Sequence, residues 1–178
     1  MSFEKPLLLP LKRFYDERGY FQELWRESGC YTELVSAGVS FVQDNFSHSQ
    51  KNVLRGLHYQ LQKPQGKLLT VLRGHIFDVC VDLRISKSTF GHVYRFEMSS
   101  EQPEWLWIPP GFAHGFYVLS EQADCFYKCT EYFEPTDNHT IRWDDSTLNI
   151  SWPLVMDKPL LSPNDAAGCD FIKADYFL

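Results

Sequence analysis

The fold of this protein is decided by the stretch His75-Ile76-Phe77-Asp78-Val79-Cys80-Val81-Asp82-Leu83-Arg84. From Phe77 to Leu83 the odd-numbered residues are apolar, whereas the even-numbered ones are two aspartates and a cysteine. This period of two is typical of a β-strand with one apolar and one acidic face. In an exposed sheet the aspartates would be solvated, whereas in a barrel the polar face can line a ligand cavity. The alternation leaves both arrangements open.

Further β-like segments lie on either side of this stretch, separated by Gly, Pro, Asn and Asp. Helical signal is confined to Tyr31–Ala37, which Gly38 would end, and to a short turn at Ser162. Regularly spaced strands without amphipathic helices between them favour an antiparallel sandwich or barrel. We therefore expect an all-β fold in one domain over residues 1–178. The predicted strands are Phe41–Asp44, Val53–Gln60, Lys67–Arg73, Tyr94–Met98, Trp105–Ile108, Gly115–Leu119 and Cys125–Phe133, and either face of the last could be the inner one.

The composition excludes several classes of protein. Lys and Arg number 17 against 23 Asp and Glu, a net charge of −6, and no basic run is present that could bind nucleic acid. No apolar stretch is long enough to span a bilayer, so we expect no membrane association. The N-terminus shows no export signal, which favours the cytoplasm. The 5 cysteines are odd in number and lack a Cys-x-x-Cys pair, so we expect reduced thiols.

A histidine motif lies between Trp107 and Phe116. Its Pro-x-Gly-x-x-His pattern, which ends at His114, resembles the second motif of the cupin superfamily, a family of jelly-roll barrels. The first motif of metal cupins supplies His-x-His, because a divalent metal needs several ligands that converge on one point. The corresponding place here, Gly56–Gln60, contains only His58. The sequence therefore predicts no bound metal.

Without a metal, a polar barrel would do acid–base chemistry with its side chains. His58 is the natural base because imidazole titrates near neutral pH. Its spacing alone nevertheless favours a hydrogen-bonded core histidine, and the same holds for His114. Asp165 follows Ser162-Pro163 in the pattern of a helix capping box, so capping is its simplest role. Lys67, Arg55 and Tyr127 have equally ordinary interpretations as surface cations and a strand aromatic.

The whole set of motifs, however, resembles the dTDP-4-dehydrorhamnose 3,5-epimerases, non-metal cupins that act on a nucleotide-linked keto sugar. Each motif is weak by itself, but their order and spacing together are specific, and they extend over nearly the entire chain. The resemblance implies a cupin-type double-stranded β-helix with a few short peripheral helices. The segments that carry it are Asp16–Glu23, Phe41–Asn45, Asn52–His58, Gln65–Leu68, Phe77–Arg84, Gly111–Phe116, Tyr127–Tyr132 and Asp165–Ala167.

The resemblance also implies roles for individual residues. His58 becomes the proton acceptor, Asp165 the carboxylate that orients it, and Tyr127 the proton donor on the opposite face of the sugar. Lys67 becomes the cation that holds the ketone oxygen. It implies no cofactor, a dTDP-linked 4-keto-6-deoxy sugar as substrate, and a homodimer whose N-terminal strands reach across to the partner. The residues that match substrate-binding positions of the family are Arg18, Glu23, Gln43, Asp44, Asn45, Arg55 and His114.

Two features depart from this pattern. Asn138 and Asn164 stand where relatives often carry an acidic and a basic residue, respectively, which affects the binding of the nucleotide. Strict alternation would also place Arg55 and His58 on opposite faces of one strand, so a twist or bulge at Gly56 is needed for both to face the site.

Other activities remain open. A related cupin could invert only C3 or only C5, or move the keto group from C4 to C3, through the same kind of enolate or enediol. A nucleotide-sugar binding protein on an inactive cupin is the alternative from another class. It would be expected to lose at least one of His58, Asp165, Lys67 or Tyr127, and all four are present.

Overall fold

The computed structural model describes residues 4–26, 34 and 38–178. Short strands dominate the described residues, which also contain a short helix, α1 (Pro163–Ala166), and 3-10 turns at Pro135–Asp137 and Phe171–Lys173. The turn predicted at Ser162 is confirmed, whereas the predicted helix Tyr31–Ala37 lies outside the described residues apart from Leu34. The strands are β1 (Leu7–Pro10), β2 (Arg13–Asp16), β3 (Gly19–Gln22), β4 (Gln43–Gln50), β5 (Leu54–Gln60), β6 (Lys67–Arg73), β7 (His75–Asp82), β8 (Val93–Ser99), β9 (Glu104–Ile108), β10 (Phe112–Val118), β11 (Gln122–Cys129) and β12 (Asn138–Thr140).

The strands form two five-stranded sheets and a hairpin. The first sheet has the order β1-β9-β6-β11-β4, the second has the order β12-β5-β10-β7-β8, and β2 pairs with β3. Every pairing between these strands is antiparallel. This arrangement confirms the expected all-β, cupin-like jelly roll. No helix in the described part of the chain is long and apolar enough to cross a membrane.

Apolar side chains form a layer between the two sheets, a second layer outside the second sheet, and a third layer on the first sheet around Leu68, Trp105 and Trp107. The inner layer joins Leu69 and Leu106 of the first sheet to Ile76 and Phe116 of the second. The outer layer packs the second sheet against the C-terminal segment, which contributes Ile141, Leu148, Trp152 and Phe171. The second sheet is thus covered on both faces, and burial of this apolar surface is the main force that holds the segment in place.

The structure decides which way the strand β7 faces. Its apolar residues Val79 and Val81 point outward to the C-terminal segment, whereas Cys80 faces the other sheet. Asp78 and Asp82 are both fully buried. The solvated arrangement that the alternation left open is therefore wrong, because both faces of β7 are covered.

Several strand boundaries differ from the prediction. β4 continues to Gln50 rather than ending at Asp44, and β10 begins at Phe112, which places His114 inside the strand. β11 ends at Cys129, so the predicted continuation to Phe133 is wrong. In each case pairing with a neighbouring strand sets the limit, and local sequence carries little information about such pairing.

Candidate active site

A cavity opens between the two sheets and has two lobes. The lobes have volumes of about 250 and 230 Å³, and His58, Lys67 and Tyr127 line both. We call one the amide lobe, lined by Gln43, Asn45, Gln60, Gln65 and Asn138, and the other the cationic lobe, lined by Ser47, Arg55, His114 and Phe116. His58 belongs to the second sheet, whereas Lys67 and Tyr127 belong to the first. The three shared side chains therefore reach the cavity from opposite walls.

His58 is held by a carboxylate from the C-terminal segment. Its Nε2 atom lies 2.6 Å from Oδ1 of Asp165, which is 3% exposed. Asp165 also closes the predicted capping box of α1, because its carboxylate accepts from Ser162 while Ser162 Oγ accepts from its backbone N–H. A third contact comes from the N–H of Gly56, 2.9 Å from Oδ1. Capping and histidine orientation are thus two roles of one side chain.

These contacts govern the charge of Asp165. Burial raises the pKa of its carboxyl group, but the contacts with His58, Ser162 and Gly56 outweigh burial and bring the pKa down to about 2. The group is therefore ionised at neutral pH. An anion beside Nε2 favours the tautomer with hydrogen on that nitrogen and leaves Nδ1 to accept a proton.

A bulge in β5 brings Arg55 and His58 to the same cavity. His114 pairs with His58 and Phe116 with Arg55, so three steps along β5 match two along β10. The bulge lies at Gly56, whose φ is +124°, and a Cβ atom there would lie 2.5 Å from Cα of Gly115. Only glycine combines that backbone angle with so close an approach. The predicted bulge is confirmed.

Lys67 begins β6 and presents an unpaired ammonium group to the cavity. It makes no hydrogen bond or ion pair with any residue that the structure describes, and burial lowers its pKa. The negative charge of the Asp78 carboxylate acts in the opposite direction. An uncompensated cation in a partly closed cavity is suited to stabilising a developing oxyanion.

Tyr127 lies on β11, next to Asn45 of β4. Burial raises the pKa of its phenol, so the hydroxyl stays protonated at neutral pH. The hydroxyl makes no hydrogen bond within the described ranges. It is therefore available as an acid on the wall opposite His58.

His114, Asp78 and Cys80 form a buried cluster that resembles a metal site, since one ligand atom of each lies within 4.8 Å of the others. Asp78, however, accepts hydrogen bonds from Nε2 of His114 at 2.8 Å and from the thiol of Cys80 at 3.7 Å. Burial raises the pKa of Cys80 well above its ordinary value, which keeps it a thiol, whereas metals bind the thiolate. The donors satisfy one another, so the cluster does not fit a metal.

The predicted binding residues divide into two groups. Gln43, Asn45, Arg55 and His114 line the cavity together with the four predicted catalytic residues Tyr127, Lys67, His58 and, behind it, Asp165. The structure does not bring the other three to the cavity. Asp44 points away and pairs with Lys128 at 2.6 Å, Arg18 is 89% exposed and pairs with Asp16, and Glu23 pairs with Arg26.

Asn138 and Asn164 border the same groove. Asn138 lines the amide lobe, and both residues line a neighbouring polar groove of about 430 Å³. Tyr59 also borders both spaces. An acidic and a basic residue at these two positions would share one groove.

Sequence reasoning missed several residues of the cavity wall. Ser47 and Phe116 line the cationic lobe, and Gln60 and Gln65 line the amide lobe, where they and the predicted Gln43 bind the backbone of residues 131–134. Continuing the alternation of Gln43 and Asn45 would have placed Ser47 inside, but the predicted strand stopped at Asp44. No local sequence pattern predicts the hydrogen bonds that these glutamines make. They are Gln65 Nε2 to Glu131 O, Gln60 Nε2 to Tyr132 O, Phe133 N to Gln43 Oε1, and Glu134 N to Gln60 Oε1.

Comparisons with known proteins agree with this geometry. The chain is 46% identical to the dTDP-4-dehydrorhamnose 3,5-epimerase of Shigella flexneri over 173 residues, 97% of this chain and 94% of that protein. It superimposes with a TM-score of 0.90 and 48% identity on the dTDP-6-deoxy-D-glucose-3,5-epimerase of Legionella pneumophila, in complex with dTDP-4-keto-L-rhamnose, covering 96% of this chain and 89% of that one.

A more distant structure is ChmJ, a 3'-monoepimerase from Streptomyces bikiniensis in complex with dTDP-quinovose. It is 28% identical, with a TM-score of 0.85, and the match covers 96% of this chain and 85% of that one. A family model described as dTDP-4-dehydrorhamnose 3,5-epimerase matches residues 1–172. The resemblance found in the motifs is therefore confirmed over almost the whole chain, and the protein belongs to the dTDP-4-dehydrorhamnose 3,5-epimerase family.

Proposed function

We propose that this protein converts dTDP-4-keto-6-deoxy-D-glucose into dTDP-4-keto-L-rhamnose by inverting C3 and C5, a step of dTDP-L-rhamnose biosynthesis. One observation carries the mechanism: a base, His58, faces an acid, Tyr127, across a cavity that also holds the unpaired cation of Lys67. Inversion requires such an arrangement, because reprotonation from the face that lost the proton would restore the original configuration.

Each inversion begins with loss of a proton from a carbon beside the C4 ketone. Nδ1 of His58 takes the proton, the electrons of the C–H bond form a C=C bond, and the carbonyl π electrons move to the ketone oxygen. Lys67 stabilises the resulting enolate oxygen. Asp165 stabilises the imidazolium that His58 becomes. No redox step occurs, and no cofactor is needed.

Inversion is completed when Tyr127 gives its phenolic proton to the opposite face of the same carbon. The enolate electrons return to re-form the C4 ketone and the new C–H bond. Solvent then reprotonates the phenolate and removes the proton from His58. The same groups act on C3 and on C5, since both carbons flank the ketone.

Substrate binding follows the charge of the cavity. The guanidinium of Arg55 provides forked donors suited to a diphosphate. Gln43 and Asn45 offer amides on the neighbouring wall. Arg18 and Glu23, which stay outside the cavity of their own chain, are proposed to act on the substrate held by a partner subunit.

The proposed assembly is a homodimer. The β2–β3 hairpin exposes Phe14, Tyr15, Tyr20 and Phe21, and the outer face of the edge strand β4 exposes Phe46. Exposed aromatic clusters of this kind are typical of subunit interfaces. A sedimentation mass of two subunits at micromolar concentration is expected, and a mass of one subunit would contradict the homodimer.

Two further points belong to the proposal. The cysteines that the structure describes are free thiols, which is consistent with a reducing compartment such as the cytoplasm. The net charge of −6 gives no support to a nucleic-acid partner.

Inversion of C3 alone is the second candidate, because the 3'-monoepimerase shares the fold at 28% identity. Incubation with dTDP-4-keto-6-deoxyglucose in deuterated water distinguishes the two. We expect NMR to detect deuterium at both C3 and C5 and the product to be dTDP-4-keto-L-rhamnose. Deuterium at one carbon only would show that the protein inverts a single centre and would contradict the proposed inversion of both C3 and C5.

A further inference from the structure

The segment that carries Asp165 is bound to the second sheet on both sides of that residue. Before Asp165, Leu160 forms a parallel bridge with Val53, immediately ahead of β5. After Asp165, Cys169 forms a parallel bridge with Ile141, immediately behind β12. The helix α1 therefore spans two points that are fixed by backbone pairing to the second sheet.

The second of these points depends on a close backbone contact at Gly168. A Cβ atom at Gly168 would lie 2.7 Å from N and 2.9 Å from Cα of Arg142, and 2.9 Å from the carbonyl carbon of Ile141. All three atoms belong to the backbone, which cannot rotate away as a flexible side chain can. Only glycine permits so close an approach of two backbones. A residue with a side chain at this position would hold the segment farther from Ile141.

Ile141 connects this contact to the strand that carries His58. Ile141 and Leu57 exchange both backbone hydrogen bonds, with N–O distances of 2.9 and 3.0 Å, and Leu57 directly precedes His58 on β5. On the other side of the contact, Asp165 lies only three residues before Gly168. The spacing between Gly168 and Ile141 therefore sets how near the carboxylate of Asp165 comes to the imidazole of His58.

The contacts of Asp165 leave little room for movement. Its Oδ1 atom lies 2.6 Å from Nε2 of His58 and 2.9 Å from the backbone N of Gly56. Hydrogen bonds weaken once the donor and acceptor separate beyond about 3.2 Å. A displacement of about 1 Å in a catalytic group can lower a rate by about 10²-fold.

We propose that Gly168 is a positioning residue, whose lack of a side chain lets α1 lie close enough to β5 and β12 for Asp165 to bind His58. This inference rests on the proposed function, since it takes His58 as the base. Gly168 acts only through Asp165 and touches neither the substrate nor the reacting atoms.

A double-mutant cycle tests this assignment through deuterium exchange into dTDP-4-keto-6-deoxyglucose. Gly168→Ala is expected to lower kcat roughly tenfold and to change KM less than about twofold, because the cavity wall keeps its residues. In the Asp165→Asn protein the same substitution should lower kcat less than about twofold, because the contact that it disturbs is already lost. Ala166→Ser, which also adds one heavy atom at an exposed position of α1, should leave kcat and KM unchanged.

The carboxyl group of Asp165 provides a readout that does not depend on activity. Its contacts with His58, Ser162 and Gly56 outweigh burial and bring its pKa to about 2. When the contacts with His58 and Gly56 lengthen in Gly168→Ala, this pKa should rise. The pKa is measured by ¹³C NMR titration of the carboxyl carbon, with Asp165→Asn to identify the signal and Ala166→Ser as the control.

Three results would overturn the proposal. An equal fall of kcat in the wild-type and Asp165→Asn backgrounds would show that Gly168 acts independently of Asp165. A wild-type kcat with an unchanged carboxyl pKa would show that the dyad does not need this spacing. Loss of the cooperative melting transition in Gly168→Ala, with the transition retained in Ala166→Ser, would assign Gly168 to stability alone. Failure of the proposed function is recorded separately, as absence of deuterium incorporation by the wild-type protein.

Discussion

The two sheets of this molecule prepare their functional groups in different ways. The second sheet carries the proposed base, His58, which already has a buried carboxylate beside it. The first sheet ends in the exposed edge strand β4, and the cation and acid proposed on it, Lys67 and Tyr127, have no hydrogen-bond partners in the part of the chain that is described. The fold thus orients the proposed base in the absence of substrate, whereas the proposed mechanism leaves the partners of the other two groups to the substrate.

Replacing the base is expected to have the largest effect. His58→Ala removes the proton acceptor from the second sheet, so both deuterium exchange and inversion should fall by about 10³-fold or more. The measurement is NMR of the sugar nucleotide in deuterated water. Deuterium exchange at the wild-type rate in His58→Ala would show that another residue is the base. The two sheets would then no longer differ in how they hold their catalytic groups.

Tyr127→Phe distinguishes the contribution of the Tyr127 wall of the cavity from that of the His58 wall. The ring still packs while the hydroxyl is lost, so the melting temperature should change little. His58 can still remove protons, so deuterium exchange beside the ketone should persist while net inversion falls by about 10²-fold. The two rates are compared in one NMR time course. Wild-type inversion at both centres would assign the acid to Tyr132 or to a bound water.

Asp165→Asn tests how far the second sheet depends on its carboxylate. Exchange and inversion should slow together, by less than in His58→Ala, because the base remains but loses the anion that orients it and stabilises its cation. Substitution of Lys67 or Tyr127 in the Asp165→Asn protein should still lower its remaining activity. Equal activity of Asp165→Asn and wild type would refute the dyad.

The same residue predicts a dependence of stability on pH. The pKa of Asp165 is lowered to about 2 in the folded chain, so its contribution is present above the unfolded pKa near 4 and is lost as the pH falls toward 2. Urea unfolding at pH 5 and pH 3 should show wild type losing roughly 1 kcal/mol more than Asp165→Asn. Parallel losses in the two proteins would contradict the lowered pKa.

The smallest effect is expected from metal removal. The carboxylate of Asp78 is occupied by His114 and Cys80, so a strong chelator should leave activity unchanged. Chelator-treated and untreated samples are compared in the NMR assay. Activity that is lost on treatment and restored by a divalent cation would show that these donors bind a metal.

Local sequence was sufficient for features that depend on near neighbours. The alternation of β7 predicted its two faces, and Ser162 with Asp165 predicted a capping box. The conflict between Arg55 and His58 predicted a bulge at Gly56, because side-chain direction along a strand follows directly from residue spacing. The family motifs pointed to His58, Lys67 and Tyr127, and the structure places all three at the cavity.

Tertiary structure alone decided the contacts between distant segments. It brought Asp165 to His58, turned Asp78 toward His114, pointed Asp44 outward and left Arg18 on an exposed hairpin. It also extended β4 to Ser47. These outcomes depend on which strands pair and which faces are covered, and burial between elements far apart in the chain leaves no local pattern from which a partner can be identified.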